Sequence, residues 1–240
     1  MSSIQAALQP VKQPANLSRL AWLCALLPFL TTHTSSLVAA SLGHVEWCIP
    51  YWNFCTSISA TGRQMPEKAW FKVGMFASLL VTLVFWRGLK AWLSETPVAD
   101  LQRSIQGMFV LGVLAAVFLA LYTLALGEEG DTLQRVRRIG VTLAFAFTYL
   151  AQLLCTHLLG QYARETSNPP LHLLQQRLLT LLLCLLGVGI VSVMLEGLLG
   201  DNYDRYEDGF EWIMALMLNL WFAGTGILLG RLQKAISNQA

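Results

Sequence analysis

Apolar residues fall along this chain in six long runs, Leu20–Leu42, Trp70–Leu93, Ile105–Leu126, Ile139–Gly160, Leu178–Leu199 and Trp212–Leu232. A helix of about 20 residues crosses the ~30 Å hydrocarbon core of a bilayer, and each run reaches that length. The third, fourth and fifth are nearly free of charge. The second carries Arg87 and Lys90 in its last turns, where long apolar stems let the charges reach the interface. Turn-forming clusters separate the runs, as in Gly127-Glu128-Glu129-Gly130-Asp131 and Ser167-Asn168-Pro169-Pro170. The gaps are too short for a soluble domain. The pattern predicts an all-α polytopic membrane protein, a six-transmembrane-helix bundle over residues 20–232. Residues 1–19 form a lead-in and 233–240 a tail, both expected on the cytoplasmic side.

Composition supports this pattern. Of 240 residues, 55% are hydrophobic and 12% charged, against a charged share of about 25% in soluble domains. The net charge of +2 comes from scattered basic residues rather than a basic face, so no nucleic-acid partner is expected. The polar stretch Met1–Ser18, with Lys12, precedes an apolar run too long for a cleaved signal peptide.

With the N-terminus inside, the inner loops hold nine Lys and Arg and the outer loops seven, a small bias toward this orientation. Most acidic residues fall in the outer loops, including Glu46, Glu67, Glu128, Glu129, Asp131, Asp201, Asp204, Glu207, Asp208 and Glu211. Cys48 and Cys55 share the first outer loop, where an oxidising compartment would allow a disulfide; two free thiols are the alternative. The expected location is a plasma or inner membrane, with the first loop on the non-cytoplasmic side.

Three outer loops would meet at one face of a compact bundle. The first carries His44, Glu46, Ser57, Ser59, Thr61, Arg63 and Glu67; the second Asp131, Arg135, Arg137 and Arg138; the third Asp201 through Glu211. Guanidinium groups bind phosphate bidentately, so arginines beside hydroxyls suit a lipid headgroup. Charges at helix ends ordinarily just solvate the interface. Glu67 follows Pro66 at a predicted helix start, where the helix dipole alone favours a carboxylate. Glu211 also opens a helix.

Inside the spans, Thr31-Thr32-His33-Thr34-Ser35-Ser36 can bond its own helix carbonyls. His33 and Glu196 are the buried polar candidates, since an intramembrane ionisable group demands partners. Gln152, His157 and Asn219 also lie within spans. No Gly-x-Ser-x-Gly elbow, His-Glu-x-x-His, phosphate-binding glycine loop or Cys-x-x-Cys is present. The four histidines are spread over both sides and the core, so neither a metal nor a cofactor is expected. A serine nucleophile, Ser57 or Ser59 with His44 as base, finds no supporting spacing.

The order Pro50-Tyr51, Ile58-Ser59, Thr61-Gly62, Pro66-Glu67, Phe71 and Gly74 resembles the membrane family that groups the damage-regulated autophagy modulators (DRAM), the FRAG and SFK proteins and the GPI-anchor remodelling proteins of the PGAP type. CWH-type proteins carry the same module as their N-terminal domain. Arg137-Arg138-Ile139-Gly140 and Glu211-Trp212 extend the likeness, which runs from about Pro28 to Leu232. Members often carry a histidine where this chain has Arg137, and the Cys48–Cys55 pair is not a trait of the whole family. The resemblance implies six spans, an outward first loop, and work in GPI-anchor remodelling, lipid distribution or autophagy, without a defined catalytic mechanism.

The resulting expectation is an outer-leaflet polar cavity that binds or helps remodel a lipid headgroup. Arg63, Arg137 and Arg138 would meet phosphate, Glu67, Asp131 and Glu211 would orient them, and Ser59 and Thr61 would donate hydrogen bonds. A membrane-embedded acyltransferase or hydrolase is one alternative. A non-catalytic subunit that docks another membrane protein is the other.

Overall fold

The computed structural model describes residues 14–166 and 169–237. Ser167 and Asn168 of the predicted turn, and parts of the predicted lead-in and tail, lie outside the described residues. The helices are α1 (Pro14–Ser41), the short α2 (Pro50–Asn53), α3 (Glu67–Leu93), α4 (Gln102–Ala125), α5 (Asp131–Glu165), α6 (Pro169–Leu199) and α7 (Asp204–Ser237). Short 3-10 turns occupy Ala60–Gly62, Ala99–Leu101 and Gly200–Tyr203, and the described residues contain no strand. All six long helices are long and apolar enough to cross a membrane.

The helix ends follow local chemistry. Pro66 precedes α3, Glu67 sits in its first turn and Lys90 in its last, each sign matched to the helix dipole. In α5 the corresponding residues are Asp131 and Arg164. At 35 residues α5 is about 52 Å long, well beyond the hydrocarbon core. It and α7 begin about two turns before the apolar runs do. Arg135, Arg137 and Arg138 therefore ride on the first turns of α5, and Glu207, Asp208 and Glu211 on those of α7, rather than in loops.

The six long helices close into a ring in the order α1, α3, α4, α5, α6, α7, with α7 packed back on α1. Lipid tails are as apolar as leucine, so close approach of small residues carries much of the attraction between membrane helices. Gly140 on α5 shows it: a methyl there would lie 3.0 Å from the Tyr122 amide and 3.1 Å from the Phe118 carbonyl of α4.

The half of the ring away from the first loop holds the larger core. Phe85, Trp86, Trp221 and Phe222 interlock there among leucines. The Trp86 and Trp221 rings stack at 6.2 Å and the Phe85 and Phe222 rings meet edge-on at 5.7 Å. A smaller cluster of Ile58, Phe71, Met75, Tyr122, Leu126 and Trp212 sits at the first-loop end.

Candidate functional site

The segment between α1 and α3 folds back over the ring. α1 ends in a glycine cap: Gly43 has φ +74°, its amide bonds the Ala40 carbonyl at 3.1 Å, and the His44 amide reaches the Ala39 carbonyl at 2.9 Å. A side chain at this left-handed position would be strained, and the reversal it creates delivers His44 to the start of α3. There His44 Nδ1 lies 2.6 Å from Glu67 Oε1. The Glu67 side chain is fully buried while that of His44 is 24% exposed. With Nδ1 donating to the carboxylate oxygen, Nε2 is left for a second partner. Glu67 Oε2 is buried and has no hydrogen-bond partner among the described residues.

Beyond His44, Cys48 and Cys55 are joined as a disulfide that brackets α2. Tyr51 on α2 donates its hydroxyl to His33 Nε2 at 2.9 Å, and His33 Nδ1 donates to the Phe29 carbonyl at 2.7 Å. Both ring nitrogens of His33 are thereby satisfied, and its edge meets Trp212 at 5.1 Å between centroids. Burial pushes the Tyr51 phenol up to about 12, so it stays protonated and able to donate.

The next stretch is pinned from α1 and α7 by three hydrogen bonds to its backbone. Trp212 Nε1 donates to the Thr56 carbonyl at 2.8 Å. The Ile58 amide donates to Glu211 Oε2 at 3.1 Å, and Ser35 donates to the Thr61 carbonyl at 2.7 Å. Irregular backbone near membrane depth survives only where protein satisfies its polar groups, and these three bonds do so. Gly62 fits because a methyl there would press on Phe71 at 2.8 Å and Leu126 at 2.9 Å. On the outer rim, Lys68 bonds the Gly127 carbonyl at 2.8 Å, and Lys68 and Lys72 both reach Glu128 at 2.8 Å. These two ammonium groups hold the Glu128 carboxylate down to about 2.

Inside the ring lies a cavity of about 120 Å³ bounded by α1, α3, α4, α5 and α7, with Ile58 and Glu211 among its lining residues. Asn219, Thr82 and Thr148 are among its other polar walls. Tyr122 is among the lining residues, and its hydroxyl is buried and without a hydrogen-bond partner among the described residues. The charges of Glu211, Arg137 and Arg63 all act on that hydroxyl. Arg63, Arg138 and Glu211 act in turn on Arg137.

Several expected partnerships are rearranged. Glu67 bonds His44 instead of orienting an arginine, because the glycine cap places His44 on it. Glu211 takes the Ile58 amide while remaining within electrostatic reach of Arg63. Thr61 is fully buried and donates to the Ile58 carbonyl at 2.8 Å, so its hydroxyl braces the loop. Ser59 accepts from Arg63 Nη2 at 3.2 Å. Asp131, Arg138 and Arg63 are exposed at the rim and Arg137 is half-buried. Among the described residues no carboxylate forms a salt bridge with Arg63, Arg137 or Arg138. Glu196 is exposed on α6, away from the cavity lining, with its charge acting on Tyr203. The sequence reading misses Tyr122, whose only signal is a phenol inside an apolar span, a group that wants a partner once buried.

No curated protein and no solved structure is matched by the chain. The family model described as the Frag1/DRAM/Sfk1/Cwh43P N-terminal domain matches residues 16–226, a stretch that takes in the first five spans, most of the sixth and every element of the first-loop site. The chain is thus a multi-pass membrane protein that belongs to the Frag1/DRAM/Sfk1/Cwh43P N-terminal domain family.

Proposed function

We propose that this chain binds the phosphate-bearing head of a membrane lipid at the first-loop end of its ring, in the leaflet facing away from the cytoplasm. One observation carries the reading: the buried hydroxyl of the cavity residue Tyr122, unpartnered among the described residues, feels two arginine charges that form no salt bridge with a carboxylate among those residues. Two guanidinium groups brought together repel, and an anion between them removes the repulsion while taking charge-assisted hydrogen bonds. Arg63 and Arg137 would hold the phosphate, with Arg138 at the rim. Tyr122 would donate to the head, and Ser59 with Asp131 would border the mouth. Glu211 and Thr61 would keep the loop in place over it.

The test is native mass spectrometry of the gently purified protein with identification of the retained lipid. One phosphate-bearing lipid per protein is expected, reduced about tenfold in Arg137→Ala, a loss of roughly 1.4 kcal/mol. Bare protein, or bulk lipid indifferent to Arg137→Ala, would sink the reading.

The His44–Glu67 pair favours a second reading, an acyl-transferring or hydrolytic enzyme at the same end. A buried carboxylate that fixes an imidazole leaves Nε2 as a proton-transfer group. It would take the proton from an attacking hydroxyl and return it to the leaving alkoxide of a lipid ester. His44→Gln keeps a donor for Glu67 but removes the base. Turnover lost with lipid retention unchanged would support the enzyme, and turnover preserved would exclude it.

A further inference from the structure

The ring of helices is uneven. α6 follows its neighbours closely at its start and then stands away from them, so that Ile190, Val191, Val193, Met194 and Leu198 are all exposed. Behind its second half, between α5 and α7, runs a groove of about 460 Å³ lined by Phe145 and Tyr149 of α5, Gly189 and Met194 of α6, and Met214 and Leu218 of α7. Two of these, Phe145 and Leu218, also line the inner cavity on their other side. The cavity, bounded by the five other long helices, is therefore separated from the groove by a wall shared through these two side chains.

We propose that this groove holds one alkyl chain of the lipid whose polar head the first-loop end binds, with Phe145 and Leu218 standing between the tail and the inner cavity. The inference rests on the headgroup reading and names where the rest of that molecule lies. Three observations support it. The α6 residues of the groove, Leu185 to Met194, end about 8 Å below the last residue of that helix and extend about 14 Å further, at 1.5 Å per residue. That is close to the ~15 Å of hydrocarbon in one leaflet, and on the same side as the first loop. The walls are apolar apart from the Tyr149 phenol. The length also selects the occupant. About 14 Å suits one extended alkyl chain within a leaflet, whereas a partner helix that crosses the ~30 Å core would run well beyond the groove.

The glycines of α6 supply a clean test. A Cβ added at Gly189, which lines the groove, or at Gly187, which does not, meets no atom within 4 Å. Gly189→Trp and Gly187→Trp therefore both start from open space, and only the first sets its ring at the groove. The full chain is placed in phosphatidylcholine vesicles containing a phosphatidylcholine with a photoactivatable diazirine midway along one acyl chain. Adducts are mapped, with exposed Leu183 as background. Adducts on Phe145, Tyr149 and Met214 are expected above background, falling about tenfold in Gly189→Trp and unchanged in Gly187→Trp. Labelling no greater than at Leu183, or equal in the two variants, overturns the groove, as does a cross-link there to a second protein. The two readings fail separately. Retained lipid lost in Arg137→Ala with no groove labelling removes the groove and leaves the headgroup site. Groove labelling with retention indifferent to Arg137→Ala removes the headgroup site and leaves an alkyl-chain groove.

Discussion

The two ends of the ring are held together by different physics. Away from the first loop, Trp86, Trp221, Phe85 and Phe222 interlock with leucines, and polar contacts are few. Those that exist join one helix to another, such as Trp221 Nε1 to Thr156 at 2.9 Å and Gln152 to the Leu218 carbonyl at 3.1 Å, and none holds a non-helical segment. At the first-loop end a non-helical segment is tied to α1 and α7 by bonds that span long stretches of sequence, through Ser35, Trp212 and Glu211. The first kind of end needs only volume and shape. The second needs particular donors facing particular acceptors, because each unmet backbone group costs about 1–3 kcal/mol when buried. The Tyr122 hydroxyl and Arg137 take no part in that bracing, and the proposed headgroup site draws on them.

The comparison is broken hardest at His44. His44→Ala leaves the buried Glu67 carboxylate without a partner on either oxygen, at a cost of about 3 kcal/mol. For a chain of this size that corresponds to a midpoint lowered by roughly 6–12 °C in a thermal melt in detergent. Removing both partners relieves the stranded charge, so His44→Ala with Glu67→Leu is expected to recover most of the loss. Equal loss in the single and double variants would show that the pair is not what stabilises this end. At the other end Gln152→Leu removes one interhelical bond between spans, about 0.6 kcal/mol, and moves the midpoint far less.

The same substitution at both ends sharpens the contrast. Trp212→Phe leaves the buried Thr56 carbonyl without its indole donor and is expected to cost about 1–2 kcal/mol. It should also lower lipid retention, since the loop it pins covers the cavity. Trp221→Phe removes a donor from a threonine hydroxyl that still bonds the Gln152 carbonyl at 2.8 Å. Its cost comes mainly from volume lost in the packed core, about 1–2 kcal/mol, with retention unchanged. If Trp221→Phe lowered retention as much as Trp212→Phe, the division between packed and braced ends would be wrong.

How much of this could be read from the sequence follows the same division. The spans were legible because membrane length is a property of composition. The first turns of α5 and α7 were not, because arginines and carboxylates look like loop while a helix can continue past the bilayer with its charges in water. The motif around Ile58 to Gly74 was legible as an order of residue types. Its pairings were not: they depend on Gly43 reversing the chain so that His44 lands on Glu67, and on the Ile58 amide reaching a carboxylate far along the chain at Glu211. His33 stood out as costly, and its partner was Tyr51, within the motif itself. Tyr122 and the groove behind α6 had no local signal, since each arises only where distant helices meet or fail to meet.

The smallest expected effect lies at the rim, where Lys68 and Lys72 share Glu128. The carboxylate is held down to about 2 from an ordinary 4.5. A depressed folded-state value adds stability that is fully present above the unfolded value and is lost as pH falls from about 4.5 through about 2. The group faces solvent, so salt screens the interaction and side-chain entropy offsets it. Glu128→Gln should therefore shift the midpoint at neutral pH by less than any substitution above, and by less still in high salt. It should also abolish whatever part of the acid sensitivity in that pH window comes from this cluster. Lys68 keeps its bond to the Gly127 carbonyl and Lys72 its bond to the Leu124 carbonyl at 3.1 Å, so the turn between α4 and α5 stays fixed without the carboxylate. A large, salt-independent shift on Glu128→Gln would mean that the rim belongs to the braced end as fully as His44 and Trp212 do, and that bracing reaches into the exposed turn itself.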